Sequence, residues 1–546
     1  MSSRKFNEYK GLDLPQLGRE VLEVWDRENT FGRSITEREG APAFIFYEGP
    51  PSANGLPGIH HVLSRTIKDT ICRYKTQQGY LVRRKAGWDT HGLPVELGVE
   101  KKLGITKEDI GHKISIEEYN RTCREAVMEF TGVWEELTRK MGYWVDMKHP
   151  YITYENKYIE TLWWMLKQLF DKGLLYKGYT IQPYSPAAGT GLSNHELNQP
   201  GCYRDVKDTT CTAQFEIIRD ERSEFLFDDA QGTLYFLAWT TTPWTLPSNT
   251  ALAVGDNIEY VRVKCLNPYT QQPQTVILAK ELLPAYFTPK MEGTYSIGER
   301  IYKGSELVGI RYRQLIDWVK PMGDAFRVIS GDYVTTVDGT GIVHIAPTFG
   351  ADDDRVGKQA GIVPMYVVDR AGKNQPMVDR RGRLFRIEDM DPDFVAKYVD
   401  AERYREWAGR FVKNAYDPSL GPDDPTLDID IAVMLKGEGK AFKIEKHTHS
   451  YPHCWRTDKP VLYYPLDSWF IRTTALRERL MELNDTIDPP RPGRAVSGSG
   501  SKGSWTGTSP VPAFGARRCR YGRRKTAPNS SASVRWRSCA RKRRKP

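Results

Sequence analysis

No apolar run in the chain approaches the roughly 18 residues that a membrane-spanning helix needs. The opening segment, MSSRKFNEYKGLDL, has no apolar core of the kind a secretory signal carries. A membrane partner is therefore not expected. Cysteine is sparse, eight residues in 546 with no tight repeat. That is the usage of a reduced cytoplasmic protein rather than of a disulfide scaffold. Acidic residues are absent from 491–546, and so are Leu, Ile, Met, His and Gln. By composition this stretch, rich in Arg, Ser, Gly and Pro, reads as a disordered basic arm. It also accounts for the net charge of +10. It holds 16 of the 79 Lys and Arg and none of the 69 Asp and Glu, so residues 1–490 carry 63 basic against 69 acidic side chains, a net of −6. Any nucleic-acid contact in the body must use local patches, because its overall charge has the wrong sign.

The length leaves room for about two to four domains. The most organised stretch is 43–98. Ala43 to Tyr47 is a short apolar run that predicts a buried strand. A loop follows with Gly49, Pro50, Pro51, Gly55, Pro57 and Gly58, too rich in turn formers for a helix. Ile59, Val62, Leu63, Thr66, Ile67, Thr70, Ile71 and Tyr74 then recur at helical spacing and predict one buried stripe. Gly79 can end that helix, and Tyr80–Val82 starts a second strand. This is a βαβ unit, with the loop at 49–58 and the loop Gly87-Trp88-Asp89-Thr90-His91-Gly92 on one rim, beyond the carboxyl ends of the strands. His60 and His61 fall in the first helical turn, where free N–H groups attract anions. A phosphate-bearing ligand fits that place, although the loop is neither GxxxxGK[ST] nor GxGxxG.

FYEGPPSANGLPGIHHVLSRTIKD followed by GWDTHGLPVE closely resembles the signature region of the bacterial isoleucyl-tRNA synthetase family, within the class I aminoacyl-tRNA synthetases. Valyl and leucyl relatives differ around the second loop, so GWDTHGLPVE favours isoleucine. One departure stands out. The family's usual tetrapeptide is His-Ile-Gly-His, and this chain has Gly58, Ile59, His60 and His61 in its place. Only Ile59 and His61 match. Either His60 covers the role of the first histidine from two residues on, or the pair is simply solvent-facing.

Earlier, Leu14, Leu17, Val21, Leu22 and Trp25 after Pro15 predict a helix, and 99–180 reads as mainly helical. Leu162, Trp163, Met165, Leu166 and Leu169 are expected to be core. Ser193 and His195, in YSPAAGTGLSNHE, are read as structural because neither has a catalytic partner in view. From about Cys202 the texture turns to β, with Ala213–Ile217, Thr233–Trp239 and Tyr260–Val263 as expected strands. Two motifs mark this part. WTTTPWTLPSN presents Thr240, Thr241, Thr242 and Asn249, groups that can hold a ribose end and a water. GTGIVHIAPTFGADDD ends a strand at His344 and leads into a loop with Asp352, Asp353 and Asp354. Alone, each is an ordinary strand edge and turn. Together they resemble the editing domain inserted in isoleucyl, valyl and leucyl synthetases, where an aspartate at the position of Asp353 holds the amino group of the misattached amino acid. HTHSYPHCWRTDKPVLYYPLDSWFI resembles the return to the catalytic fold. His447, His449, His453 and Cys454 there lack zinc spacing, since Thr457 stands where Cys-x-x-Cys would need cysteine.

The expected architecture is α/β. It comprises N-terminal helices and the first half of a Rossmann-type catalytic domain over 1–198, an inserted β-rich editing domain over 199–445, and a return over 446–488. Residues 489–546 form a tail read as out of frame and disordered, because permitted codons in a shifted frame can encode a continuation of the resemblance. A genuine basic arm is the alternative. The resemblance implies isoleucine–tRNA ligase chemistry with hydrolytic editing of valyl-tRNA(Ile). It implies ATP and Mg²⁺ as cofactors, and tRNA(Ile) and isoleucine as partners of a cytoplasmic monomer; zinc is not expected, on the spacing above. His60 and His61 would be catalytic, with Gly58 and Ile59 also contacting ATP. Pro50 and Asp89 would bind the amino acid. Thr240, Thr241, Thr242, Asn249, His344 and Asp353 would edit. The family's Lys-Met-Ser-Lys-Ser loop has no counterpart here, so this chain is expected to be inactive in aminoacylation. A stand-alone editing deacylase or a tRNA-binding fragment are the other readings.

Overall fold

The computed structural model describes residues 11–485 apart from 289, 290, 292, 422 and 423, together with 507–509. The chain divides into two compact units, the first ending at Leu175 and the second beginning at Tyr176. The reading of 489–546 as an out-of-frame tail falls outside the described residues, save for 507–509.

In the first unit Asp13 caps helix α1 (Leu14–Arg27) by accepting the Gln16 N–H at 3.0 Å, and α2 (Thr30–Thr36) follows. Strand β1 (Phe46–Tyr47), helix α3 (Ile59–Gln77) and strand β2 (Arg84–Trp88) form the expected βαβ unit. Helices α4 (Leu93–Leu103), α5 (Ile116–Val127) and α6 (Thr131–Lys140) lead to strand β3 (Asp146–Ile152), and α7 (Asn156–Asp171) closes the unit. The strands pair in parallel in the order β1-β2-β3. Gly87 on β2 lies opposite Tyr151, and a Cβ there would run into the tyrosine ring.

Three expectations about burial are corrected here. The stripe on α3 faces outward: Ile59, Leu63, Ile67, Ile71 and Tyr74 are 83, 65, 54, 50 and 57% exposed. The helix docks instead through Arg65, Cys72 and Thr76. The reason is the arginines. The Arg65 guanidinium lies over Trp134 at 5.2 Å and Tyr143 at 5.6 Å, and Arg73 lies over Trp144 at 3.9 Å and Trp25 at 4.8 Å. Stacked guanidiniums and their apolar stems make a packing face that a hydrophobicity count scores as polar. Strand β1 is likewise no buried strand but the edge of its sheet, with Ile45 and Tyr47 exposed. Helix α7 is only half covered, and none of its residues is fully buried.

The second unit carries β4 (Leu175–Ser185), β5 (Thr190–Gly191), β6 (Tyr203–Glu216), β7 (Thr233–Thr240), β8 (Ala251–Val254), β9 (Glu259–Leu266) and β10 (Pro273–Ala279). It continues with β11 (Ser296–Lys303), β12 (Arg327–Ser330), β13 (Ile342–Ile345), β14 (Tyr366–Val368), β15 (Asn374–Pro376), β16 (Ala441–Pro452) and β17 (Leu462–Ile471). The main sheet runs β11-β9-β10-β7-β6-β16, and a smaller one runs β12-β8-β13. Alternating apolar residues of these strands close one core, with Phe215, Phe236, Leu252, Ile277 and Val328 at its centre. Strand β16 returns antiparallel along β6, from Ala441 opposite Ala213 to Pro452 opposite Tyr203. The β-rich segment thus begins and ends side by side. Ser193 is the cap of the short helix Asn194–Leu197, exchanging hydrogen bonds with Glu196 at 2.9 and 3.2 Å. The three aspartates expected in a loop instead open the helix Ala351–Ala360, where carboxylates suit the positive end of the helix dipole.

Candidate functional sites

In the first unit, parallel pairing brings both special loops to one rim. They are joined there by the Asp89 N–H donating to the Pro51 carbonyl at 3.0 Å. The Gly/Pro loop is pinned further along, where the Phe130 N–H reaches Ala53 O at 3.0 Å and Trp134 Nε1 reaches Gly55 O at 2.9 Å. Its root is Glu48, a buried carboxylate that accepts from Lys68 Nζ at 2.8 Å and from the Tyr143 hydroxyl, with Arg65 at 3.9 Å. Pro50 and Asp89 are half-buried on this rim.

Gly58 is the N-cap of α3, with Ile59 and His60 exposed and His61 half-buried just after it. His61 Nδ1 accepts the Gly58 N–H at 2.8 Å, so the proton of the neutral ring sits on Nε2. Burial, then the neighbouring His60 and Arg65, hold its pKa below the usual histidine range. The two imidazoles lie 3.8 Å apart, and the His61 ring meets Trp134 edge-on at 4.7 Å. A Cβ on Gly58 would come within 2.9 Å of the His60 ring. The imidazole therefore occupies the room a side chain at 58 would need. Free first-turn N–H groups and the Nε2–H of His61 make a donor set suited to phosphate oxygens. Among the described residues no group of three or more His, Cys, Asp or Glu gathers to hold a metal. On β16, His449 Nε2 pairs with Asp208 at 3.3 Å, and just past its end His453 Nδ1 lies 3.0 Å from Tyr451 O.

In the second unit the two motifs meet. Thr240 ends β7, and its Oγ1 accepts the Thr242 N–H at 3.1 Å and lies 3.4 Å from Thr242 Oγ1. Pro243 starts a 3₁₀ turn, Pro243–Ser248, which stacks Thr245 above Thr242. The Thr245 hydroxyl donates to Thr242 O at 2.8 Å, so its oxygen must accept from His344 Nε2, 3.0 Å away. That leaves His344 protonated on Nε2, and its Nδ1 is buried with no protein partner. Burial lowers the His344 pKa to about 4, so the ring is neutral at pH 7. Two residues on, the Ala346 N–H donates to Asp353 Oδ2 at 2.9 Å, and the Tyr333 hydroxyl reaches Oδ1 at 3.4 Å. Burial raises the Asp353 pKa to about 6 against the pull of these bonds. Gly350 is what admits this carboxyl, since a Cβ there would come within 2.6 Å of it. Asp352 and Asp354 turn instead to Arg355 and Lys358. Phe349 holds the loop against Trp244, edge to face at 5.0 Å.

Thr240, Thr242 and His344 are thus linked into one chain, and Asp353, in the first turn of the following helix, bonds back to the backbone two residues after His344. Thr241 is half-buried beside them. Asn249 makes its bonds elsewhere: it accepts from the Tyr312 hydroxyl at 2.7 Å and donates to Ala251 O at 2.8 Å, deep in the core. The sequence reading missed Thr245 and Tyr333. For Thr245 a signal existed, since a proline after three threonines starts a turn with period three; Tyr333 had none. Chemically the arrangement offers hydroxyls, a neutral imidazole and a half-buried carboxyl. None of the threonine hydroxyls has a carboxylate-backed base beside it, so the site suits holding a ligand and a water better than forming a covalent intermediate.

Residues 20–489 match the family model for tRNA synthetases class I (I, L, M and V). An isoleucine–tRNA ligase of Bacteroides fragilis (strain ATCC 25285) is 63% identical over 517 residues, a match covering 92% of this chain and 44% of that protein. One from Porphyromonas gingivalis is 63% identical over 498 residues, covering 89% and 43%. One from Clostridium tetani is 43% identical over 484 residues, covering 88% and 41%. The chain therefore spans less than half the length of these relatives.

Proposed function

The chain belongs to the class I tRNA synthetases, and from that premise we propose that it is the amino-terminal part of an isoleucine–tRNA ligase whose second unit hydrolyses valyl-tRNA(Ile). The observation that carries the hydrolytic reading is that Asp353, at the start of its helix, bonds back to the Ala346 N–H just past β13, two residues from His344, which is tied to the threonine turn through Thr245. Ionised Asp353 would pair with the α-ammonium of the misattached amino acid. Thr240, Thr241, Thr242 and the bare Nδ1 of His344 would hold the terminal ribose hydroxyls and a water. That water attacks the ester carbonyl, the bond to the ribose oxygen breaks, and the proton passes to the departing hydroxyl. Asn249 would support the turn from the core. A single methylene separates isoleucine from valine and is worth only about 1–3 kcal/mol in a pocket. That general magnitude is one for which this pair of amino acids is the standard example, not a figure worked out from this chain.

The first unit would supply part of the synthetic site. His61 Nε2 and the first-turn N–H groups of Ile59 and His60 would contact ATP phosphates, with Gly58 at the cap approaching them through its bare Cα, since its own N–H is held by His61 Nδ1. His60, seated beside the Cα of Gly58, would stand in for the missing first histidine. Asp89 would hold the ammonium of isoleucine and Pro50 would line its side chain. Mg²⁺, carried on the phosphates, would offset their charge. The relatives' remaining length would cover the outward stripe of α3. A cytoplasmic monomer fits this reading, and no helix of the described residues is long and apolar enough to cross a membrane. The test is release of valine from pre-charged valyl-tRNA(Ile) by the purified chain, with isoleucyl-tRNA(Ile) as the control. Release of valine that Asp353→Ala abolishes supports the proposal. Release no faster than in buffer, or unchanged in Asp353→Ala, refutes it.

A further inference from the structure

The turn that carries Thr245 lacks a cap of its own. Pro243 has no N–H, and the Thr242 side chain makes no capping bond. The first donor of the turn, the Trp244 N–H, is taken by a residue far along the chain: Asp428 Oδ1, at 2.9 Å. Asp428 lies in the first turn of the helix Leu427–Gly437 and is 2% exposed. Its other oxygen meets Lys413 Nζ at 3.3 Å. Lys413 is buried too, reaches Asp208 Oδ2 on β6 at 3.1 Å, and sits over the Tyr451 ring at 5.0 Å. Burial works against the lysine's charge, but the carboxylates of Asp428 and Asp208 outweigh it and hold Lys413 protonated.

A buried ion pair of this kind is a poor source of stability, because desolvating the charges offsets most of their attraction. Its geometry here points elsewhere. The chain of bonds from β6 through Lys413 and Asp428 ends on a backbone N–H, and that N–H belongs to the turn whose next residue is hydrogen-bonded to His344. The same Trp244 presses its ring on Phe349, in the loop that leads to Asp353. We propose that Asp428, held by Lys413, is a positioning residue for the hydrolytic site. It caps the Trp244 turn from outside and so fixes the Thr245–His344 contact. This rests on the editing reading for its effect on hydrolysis, though not for the clamp itself.

The test uses the full chain and two measurements. Hydrogen exchange followed by mass spectrometry reads the backbone around Trp244, and hydrolysis of pre-charged valyl-tRNA(Ile) is split into kcat and KM. Loss of a hydrogen bond to a charged group predicts exchange around Trp244 and a fall in kcat of about 10- to 100-fold in Asp428→Ala, with KM little changed. Strands β9 and β10 should exchange as before. Asp428→Asn keeps an acceptor for the Trp244 N–H and should recover most of kcat. Lys413→Met, which leaves the aspartate unpaired but in place, should fall between the two and serves if Asp428→Ala does not fold. Unchanged exchange around Trp244 in Asp428→Ala, or raised exchange with kcat intact, overturns the proposal. If the unsubstituted chain releases no valine, the editing reading fails by itself, and the exchange measurement still decides the clamp.

Discussion

Replacing Asp353 by asparagine should stabilise the second unit at neutral pH while abolishing hydrolysis. The residue is half-buried with its carboxyl turned inward onto the Ala346 N–H, and its pKa is pushed from the ordinary 3.8 up to about 6. An acid whose folded pKa is raised is disfavoured in the fold once it ionises. Below 3.8 the carboxyl is protonated in both folded and unfolded chains and no penalty exists. The penalty grows between 3.8 and about 6 and is complete above that. At about 1.36 kcal/mol per pH unit the full gap amounts to about 3 kcal/mol, an upper bound because water can relax around the charge. Asp353→Asn removes this cost and keeps an acceptor for the Ala346 N–H. For a unit of this size the gain corresponds to a rise of about 5 °C in the melting temperature at pH 8, shrinking to nothing near pH 4. His344 works in the opposite sense. Its pKa is lowered by burial from 6.5 to about 4, so stability is lost as pH falls through that window. In the parent the two effects nearly cancel between pH 6.5 and 4, and in Asp353→Asn the histidine's slope should stand alone. Thermal melts of both proteins from pH 4 to pH 8 decide the matter. A variant less stable than the parent at pH 8, or equally shifted at both ends, would show that the carboxylate is not under strain and that the argument is wrong.

On the proposed function, the same titration predicts that kcat/KM for valine release rises with pH up to about 6 and is flat above pH 7, because only ionised Asp353 would pair with the ammonium. A profile flat down to pH 5 would contradict this. Gly350→Ala should cost most of the hydrolysis, since the added Cβ comes within 2.6 Å of the Asp353 carboxyl, and assays beside circular dichroism will separate this from unfolding. Gly87→Ala should destabilise the first unit by about 1–3 kcal/mol by pushing on Tyr151, read as an earlier transition in denaturant. Leu63→Lys with Ile67→Lys should leave stability within about 0.5 kcal/mol, since both side chains are exposed, and should lower any self-association seen by sedimentation.

Several element types followed from local sequence alone, though not the helix Ala351–Ala360, expected as a loop, nor β3, in a stretch read as helical. Helix α3 and strands β6, β7 and β9 lie where periodicity and turn residues put them. So did the identity of the two motifs, because each is continuous in the chain. Which face of α3 is covered did not follow. A period of 3.6 residues marks an apolar side but does not say that arginines stacked on Trp134 and Trp144 will make the better contact. Nor could the motifs reveal their own support. Asn249 looked like a ligand for substrate until Tyr312 was seen to hold it in the core. Nothing in the local sequence marks Asp428, whose bond to Trp244 spans 184 residues. The sequence by itself determined the elements, the family and most of the reactive groups, since these depend on neighbours in the chain. Only the tertiary structure decided orientation, protonation and positioning, since these depend on what lies across space from each side chain.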